Sequence, residues 1–329
     1  METIDVTIAK QQKYWRIAGV AVSMVMALLL GLSFGLSGCT EGTSNVAGPP
    51  GAIPPDSRTA ESRSRNFMAK LGYEEIDEMP MVTIEVPPLP GKFDIWCYED
   101  QLGRPVAHTL DAGILTLTHR LGKAIVTTQF TPAEDGVKVL VEVTGPDAES
   151  VKAVESLNPC WQFRRAESFQ NRGDYVEDFV ARCFVILENG LTFMKDTRRI
   201  PGTRADKTDK ANLPRPWIQE YYPVWREHPG QIPGRRGNSL DRPVYPLIGC
   251  ISRDGKYLAA FAWPETARLG QVWHDCLHPR PVIGESYDPK TNRIVSRARI
   301  YFRENDEEAL IAAFKRDFPN WKRPVSACN

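Results

Sequence analysis

The segment 273–279, with the sequence WHDCLHP, gathers side chains that readily bind a metal ion or transfer a proton. Two histidines four residues apart can share one metal when both lie on one face of a helix. Pro279 disfavours helical dihedral angles at His278, and residues 271–273 have an extended pattern. On a strand the same spacing separates the side chains by ~13 Å, too far for one zinc ion. The sequence therefore predicts no metal site, and His274 or His278 is a candidate general acid or base.

Two carboxylates flank this segment in the sequence. Glu265 follows Trp263 and Pro264, and Glu285 lies in the segment 283–287, IGESY. Neighbouring aromatic side chains can remove water from a carboxylate and raise its pKa, which suits a general acid. Glu265 and Glu285 are therefore the candidate acids. The alternative is that both are solvated or salt-bridged surface residues.

Residues 160–165, CWQFRR, alternate aromatic and polar side chains. On a strand, Trp161 and Phe163 share one face, whereas Gln162 and Arg164 share the other. This pattern suits a platform on which a sugar ring stacks against Trp161, beside a hydrogen-bonding edge that includes Arg164. The same alternation is also that of an ordinary strand with one buried and one polar face.

The composition changes between residues 198 and 246, where prolines and glycines are interleaved with arginines and aromatics. A long segment of this kind inside a compact domain is often functional. Trp217, Tyr221 and Trp225 are therefore further candidates for stacking on a sugar ring. The alternative is an insertion that merely packs over one face of the domain.

Short apolar or alternating segments dominate the chain after residue 66, and helical patterns occur only at 147–157 and near 305–319. Turn sequences such as EDG at 134–136 and ENG at 188–190 favour hairpins, and hairpins pair strands antiparallel. We therefore predict a mostly β fold, a large antiparallel β-sandwich with a few peripheral helices. The candidate strands are residues 82–86, 93–98, 114–119, 124–130, 137–144, 160–164, 179–187, 191–194, 244–252, 257–263, 271–274 and 294–302.

The first 39 residues have the pattern of an export signal. Three basic residues precede an uncharged apolar segment, 17–36, which ends at the sequence LSGC, residues 36–39. This ending resembles the bacterial lipobox. The resemblance implies a diacylglycerol thioether on Cys39, cleavage before it, and an acyl chain such as palmitate on the new amine. The alternative is an uncleaved transmembrane helix, since about 20 apolar residues can span a bilayer.

This interpretation divides the chain into a signal peptide, 1–38, a lipidated cysteine with a disordered tether, 39–65, and one sandwich domain, 66–329. The tether is rich in proline and glycine and has little to bury. Six cysteines remain besides Cys39. In an oxidising compartment we expect at least one disulfide among them, and the alternative is that several are small buried hydrophobic residues.

Residues 115–120 (LTLTHR), 125–130, and the alternating valines that follow Asp135 and Gly136 resemble strands of galactose-mutarotase-like, carbohydrate-related β-sandwich proteins. The resemblance implies a sandwich that handles sugars. In that family a histidine and a glutamate perform acid/base chemistry at the sugar ring, and no motif assigns those two roles to particular residues here.

Composition excludes several other classes. With 41 basic and 41 acidic residues there is no net charge to recruit nucleic acid, and neither a phosphate-binding loop nor a dinucleotide fingerprint occurs. We predict no cofactor. The expected partners are a membrane, through the lipid anchor, and an envelope polysaccharide. The leading hypothesis is an exported lipoprotein with a carbohydrate-binding or accessory domain; the alternatives are a sugar-active epimerase- or lyase-like enzyme and a structural envelope lipoprotein.

Overall fold

The computed structural model describes residues 66–98, 101–155, 157–170, 177–198, 219–229, 237–271 and 275–322. The predicted signal peptide, Cys39, the tether, Trp217, His274 and Cys328 lie outside the described residues. No helix within these ranges is both long enough and apolar enough to cross a membrane.

The described residues form two sheets, and every pairing is antiparallel except that between β11 and β12. The mostly β, sandwich-like architecture confirms the predicted fold class. In spatial order the eight-stranded sheet contains β1 (Lys70–Ile76), β2 (Met79–Val86), β3 (Leu89–Trp96), β8 (Cys160–Gln162), β16 (Cys276–Pro281), β15 (Thr266–Gln271), β11 (Gln219–Tyr221) and β12 (Gly237–Asn238).

The second sheet has ten strands and contains most of the predicted hairpins. Its order is β10 (Gly190–Phe193), β9 (Cys183–Leu187), β13 (Leu247–Ile251), β14 (Tyr257–Ala262), β18 (Arg293–Glu304), β7 (Gly136–Thr144), β6 (Ala124–Ala133), β5 (Ile114–Leu121) and β4 (Ala107–Asp111), and β17 (Tyr287–Asp288) pairs with β18.

The turn between β6 and β7 shows why these hairpins form. Alternate residues of β7, beginning at Val137, are buried against the other sheet, as a period of two requires. Gly136 closes the turn with a φ of 136°, and a Cβ there would lie 2.0 Å from the carbonyl oxygen of Ile300. Only glycine fits this close approach of two backbones.

The inward faces of both sheets meet in one apolar core. Phe93 of the eight-stranded sheet and Phe302 of the ten-stranded sheet are in ring contact, with centroids 4.7 Å apart. The opposite face of the ten-stranded sheet is covered by the helix Glu307–Asp317 through Leu310 and Phe314.

Three α-helices are described: α1 (Ala148–Val154), α2 (Glu177–Val180) and α3 (Glu307–Asp317). The side chain of Asp147 caps α1 at the backbone nitrogen of Ser150, and Asp306 caps α3 at that of Ala309. Single turns of 3-10 helix occur at Met194–Asp196 and Ile283–Ser286. Both predicted helices are therefore present.

Several predicted strand boundaries are wrong. The strand expected at 179–187 begins only at Cys183, because the preceding residues form α2. In place of a strand at 271–274, one strand ends at Gln271 and another begins at Cys276. The predicted insertion 198–246 contributes β11 and β12, which are strands of the eight-stranded sheet, so this part does not simply cover the domain.

The expected disulfide is not found among the described cysteines. Cys97, Cys160, Cys183, Cys250 and Cys276 are all buried, and no disulfide joins any two of them. For these five the alternative interpretation, buried small side chains, describes their environment better.

Candidate functional site

Two of the predicted sugar-stacking residues lie inside the core, so this prediction is wrong for them. Trp161 is fully buried and its ring contacts those of Phe93 and Phe163. Tyr221 is also fully buried, and its hydroxyl lies 2.8 Å from Oγ1 of Thr197. Strand alternation explains the error, because in a strand with alternating apolar and polar residues the apolar side chains face the other sheet.

The other predicted ligand-binding residues do not form a cluster around these two. Trp225 is half-buried and packs edge to face against Trp321, with ring centroids 5.7 Å apart. Arg164 is partly exposed and lies 3.4 Å from the carboxylate of Asp275. Trp217 lies outside the described residues.

The two candidate acids lie close together and have opposite pKa shifts. Burial raises the pKa of Glu265, and Oγ of Ser286 donates a hydrogen bond to it at 3.3 Å. Hydrogen bonds from the Arg226 guanidinium, at 2.6 and 2.8 Å, lower the pKa of Glu285. Burial thus raises the pKa of Glu265, as predicted. The pKa of Glu285 is lowered and not raised, because Glu285 is an exposed carboxylate in a salt bridge.

His278 is separated from these acids. The backbone nitrogen of Val282 donates a hydrogen bond to the carbonyl oxygen of Glu265, so Glu265 lies beside Val282. Val282 is four residues after His278 in the sequence. Four residues of extended chain span roughly 13 Å. The structure therefore does not bring His278 together with Glu265 and Glu285.

His278 instead belongs to the face of the eight-stranded sheet that is turned away from the apolar core, which we call the polar face. One row across this face follows the strand register from Trp96 to Cys160, and on through His278 and Gly270 to Glu220. Cys160, His278 and Glu220 are each at most 5% exposed, whereas Trp96 is half-buried.

The centre of the row is a cluster of two cysteines and one histidine. The ligand atoms of Cys160, Cys276 and His278 all lie within 4.8 Å of one another. Sγ of Cys276 is 3.1 Å from Nε2 of His278, and Nδ1 of the same ring is 2.8 Å from Oδ1 of Asn158. The amide of Gln162 donates to Sγ of Cys160 at 3.6 Å. We call Cys160, Cys276 and His278 together the Cys–His cluster.

One end of the row is charged. The buried carboxylate of Glu220 lies 3.7 Å from Arg268 and 3.7 Å from Arg280. Gly270, between His278 and Glu220, has no side chain, and a Cβ there would contact Glu220 and Arg280 at 3.7 and 3.9 Å. These are ordinary van der Waals distances, so the two side chains pack directly over Gly270.

A second charged group lies on the other side of the cluster. Arg165 forms two hydrogen bonds to the buried carboxylate of Asp94, at 2.9 and 2.6 Å, and a third to Glu74. Lys92 binds Glu74 and Glu85. These hydrogen bonds lower the pKa of Glu74 and raise that of Lys92. The polar face thus carries paired charges on both sides of the Cys–His cluster.

Sequence reasoning missed Trp96, Cys160, Cys276 and Glu220. For Cys276 a signal existed, because residues two apart on a strand share a face, and Cys276 and His278 have that spacing. Cys160 and Glu220 reach the row only through pairing of strands that are distant in sequence, for which the local pattern gives no signal.

No protein-family model matches this chain, and no curated protein matches it.

Proposed function

We propose that the chain is an exported lipoprotein, anchored through Cys39 to a membrane of the cell envelope, whose sandwich domain binds envelope carbohydrate on the polar face. The observation that supports carbohydrate binding is Trp96, which lies half-buried in the same row as the buried imidazole of His278 and the buried carboxylate of Glu220. Aromatic rings with a few placed polar groups are the usual lining of a small-molecule site. The ring replaces Trp161 and Tyr221 as the stacking candidate.

The binding experiment uses the full chain in detergent micelles on affinity gels that contain envelope polysaccharides. We expect Trp96→Ala to weaken retention by about tenfold or more, because aromatic anchors commonly contribute ~2 kcal/mol. Trp321→Ala is the matched control, since Trp321 is also half-buried but packs against Tyr245 and Phe314. Absence of wild-type retention on every polysaccharide would support the structural-lipoprotein alternative instead.

The anchor has its own experiment. Mass spectrometry of the protein from its membrane fraction should find an N-terminal Cys39 with added diacylglycerol and acyl mass. An intact N-terminal methionine without lipid would contradict export as a lipoprotein. This result would leave the binding experiment on the polar face unaffected.

A sugar-active enzyme is a second candidate because of Glu265 and Glu285. Two neighbouring carboxyl groups with pKa values shifted in opposite directions are typical of a proton donor and an ionised partner. If a glycan that is retained is also converted, Glu265→Gln should abolish turnover, whereas Glu304→Gln, on the exposed end of β18, should not. Equal turnover in both variants would dismiss the assignment.

A further inference from the structure

Two neighbouring strands bring the three ligand residues of the Cys–His cluster together. Cys276 and His278 are two positions apart on β16, so their side chains share the polar face. The register pairs Cys276 with Gln162 and Leu277 with Trp161, which places Cys160 beside His278. The backbone of two paired strands therefore fixes all three ligand positions before any ion binds.

The spacing of the ligand atoms fits one small metal ion. In a tetrahedral zinc site with Zn–S bonds of about 2.3 Å and Zn–N bonds of about 2.0 Å, ligand atoms lie ~3.5–3.8 Å apart. The cluster atoms lie within 4.8 Å of one another, and the sulfur-to-nitrogen distance is 3.1 Å. Shifts of about 1 Å or less would bring all three ligand atoms to these distances.

The hydrogen bonds around the cluster orient it for metal binding. An amide oxygen only accepts hydrogen bonds, so Asn158 fixes the proton of His278 on Nδ1 and leaves the Nε2 lone pair facing the thiols. Metal-binding histidines are usually held in this way by a second hydrogen bond. Gln162 donates a hydrogen bond to the sulfur of Cys160 at 3.6 Å, which holds this side chain beside the imidazole.

The charge of the ligand set favours a divalent cation. The three side chains are buried, at no more than 1% exposure each. Two thiolates and a neutral imidazole balance a divalent cation, so the loaded cluster carries no net charge into a buried position. Soft thiolate ligands favour zinc and copper(I) over magnesium or calcium, and copper(I) would leave one negative charge uncompensated.

We infer that Cys160, Cys276 and His278 form a zinc(II) site, with Asn158 as a positioning residue. Binding releases the two thiol protons to water as the Zn–S bonds form, without any change in oxidation state. Three protein ligands are the number found in catalytic zinc sites, where water takes the fourth position. This inference does not rest on the proposed carbohydrate function.

The test measures zinc in the full chain, purified in detergent under reducing conditions and dialysed against metal-free buffer. We expect elemental mass spectrometry to find one zinc per chain. X-ray absorption at the zinc edge should show two sulfur neighbours at ~2.3 Å. Cys160→Ser combined with Cys276→Ser should lose the ion. Cys97→Ser removes a buried thiol outside the cluster and should retain it.

Asn158→Ala separates positioning from ligation. We expect ~10–100-fold weaker zinc binding with the same two sulfur neighbours, as for other residues that orient a ligand. Unchanged affinity would contradict the positioning role.

Three results would overturn the site. The first is a Cys160–Cys276 disulfide in protein purified without reductant, seen as two missing thiols after denaturation. The second is retention of copper(I) with no zinc. The third is a zinc spectrum without two sulfur neighbours in the wild-type chain, and this result does not depend on whether any variant folds.

Discussion

The two sheets of this protein are assembled differently. In the ten-stranded sheet, β4 to β7 follow one another in sequence and in space, joined by short turns. In the eight-stranded sheet, β3 pairs with β8, β8 with β16, and β15 with β11, all across long stretches of chain. The polar face and its Cys–His cluster lie where these distant segments meet. Local hairpins thus build the β4–β7 part of the ten-stranded sheet, and long-range pairing builds the site.

The largest effect is expected from Trp161→Ala in the eight-stranded sheet. The ring is fully buried among core aromatics, so its removal should lower the free energy of unfolding by about 3–5 kcal/mol. Urea unfolding followed by circular dichroism measures this, with Trp225→Ala as the smaller control. If Trp161→Ala weakened glycan retention while stability stayed unchanged, the inward face would be a binding platform and the comparison between the two faces would fail.

A smaller effect is expected at the β6–β7 turn of the ten-stranded sheet. Gly136→Ala and Gly113→Ala each place a side chain at positive φ, which costs about 1–2 kcal/mol. Only at Gly136 does the new Cβ meet a backbone oxygen, at 2.0 Å, and this clash should add about 1–3 kcal/mol. At Gly113 no described atom lies within 4 Å. Equal unfolding free energies for both variants would show that the turn relaxes.

The smallest effect at moderate pH concerns His119 of β5. It is buried beside Tyr98, neither ring nitrogen has a partner among the described residues, and burial lowers its pKa to about 4. The unfolded chain takes up the proton near pH 6.5, so stability falls as the pH drops from 6.5 towards 4. At pH 5 the loss relative to pH 7 is about 2 kcal/mol.

The control for this prediction is His119→Phe, which has no titrating group. Urea unfolding at pH 7 and pH 5 should show a larger loss of stability in the wild type than in the variant. Parallel pH dependence in the two proteins would mean that His119 is solvated in the folded state.

Much of the fold could be predicted because its signals are local. The predicted strands around residue 136 end within a few residues of the observed strands, since valine alternation and an Asp-Gly turn specify a hairpin. The same holds for α3, where Asp306 caps the helix and Leu310 and Phe314 form its buried face. These elements need no information from distant residues.

The site could not be predicted in the same way. Pro279 and Pro281 prevent β16 from being recognised as a strand in the sequence, because proline is rare inside a strand. The position of Cys160 depends on the pairing of β8 with β16, and the burial of Glu220 depends on β11 joining β15. Alternation also leaves open which face of residues 160–164 points inwards. In the structure this is the face that carries Trp161 and Phe163.

The hydrogen bond between Asn158 and His278 joins residues 120 positions apart in the sequence. Contacts between such distant residues form late, because the entropy of closing a long loop has to be offset before they gain anything. We therefore expect the thiols of Cys160 and Cys276 to stay apart while the hairpins of the other sheet are already forming. Their protection from an alkylating reagent during refolding should rise last, which makes these two thiols a marker of completed folding.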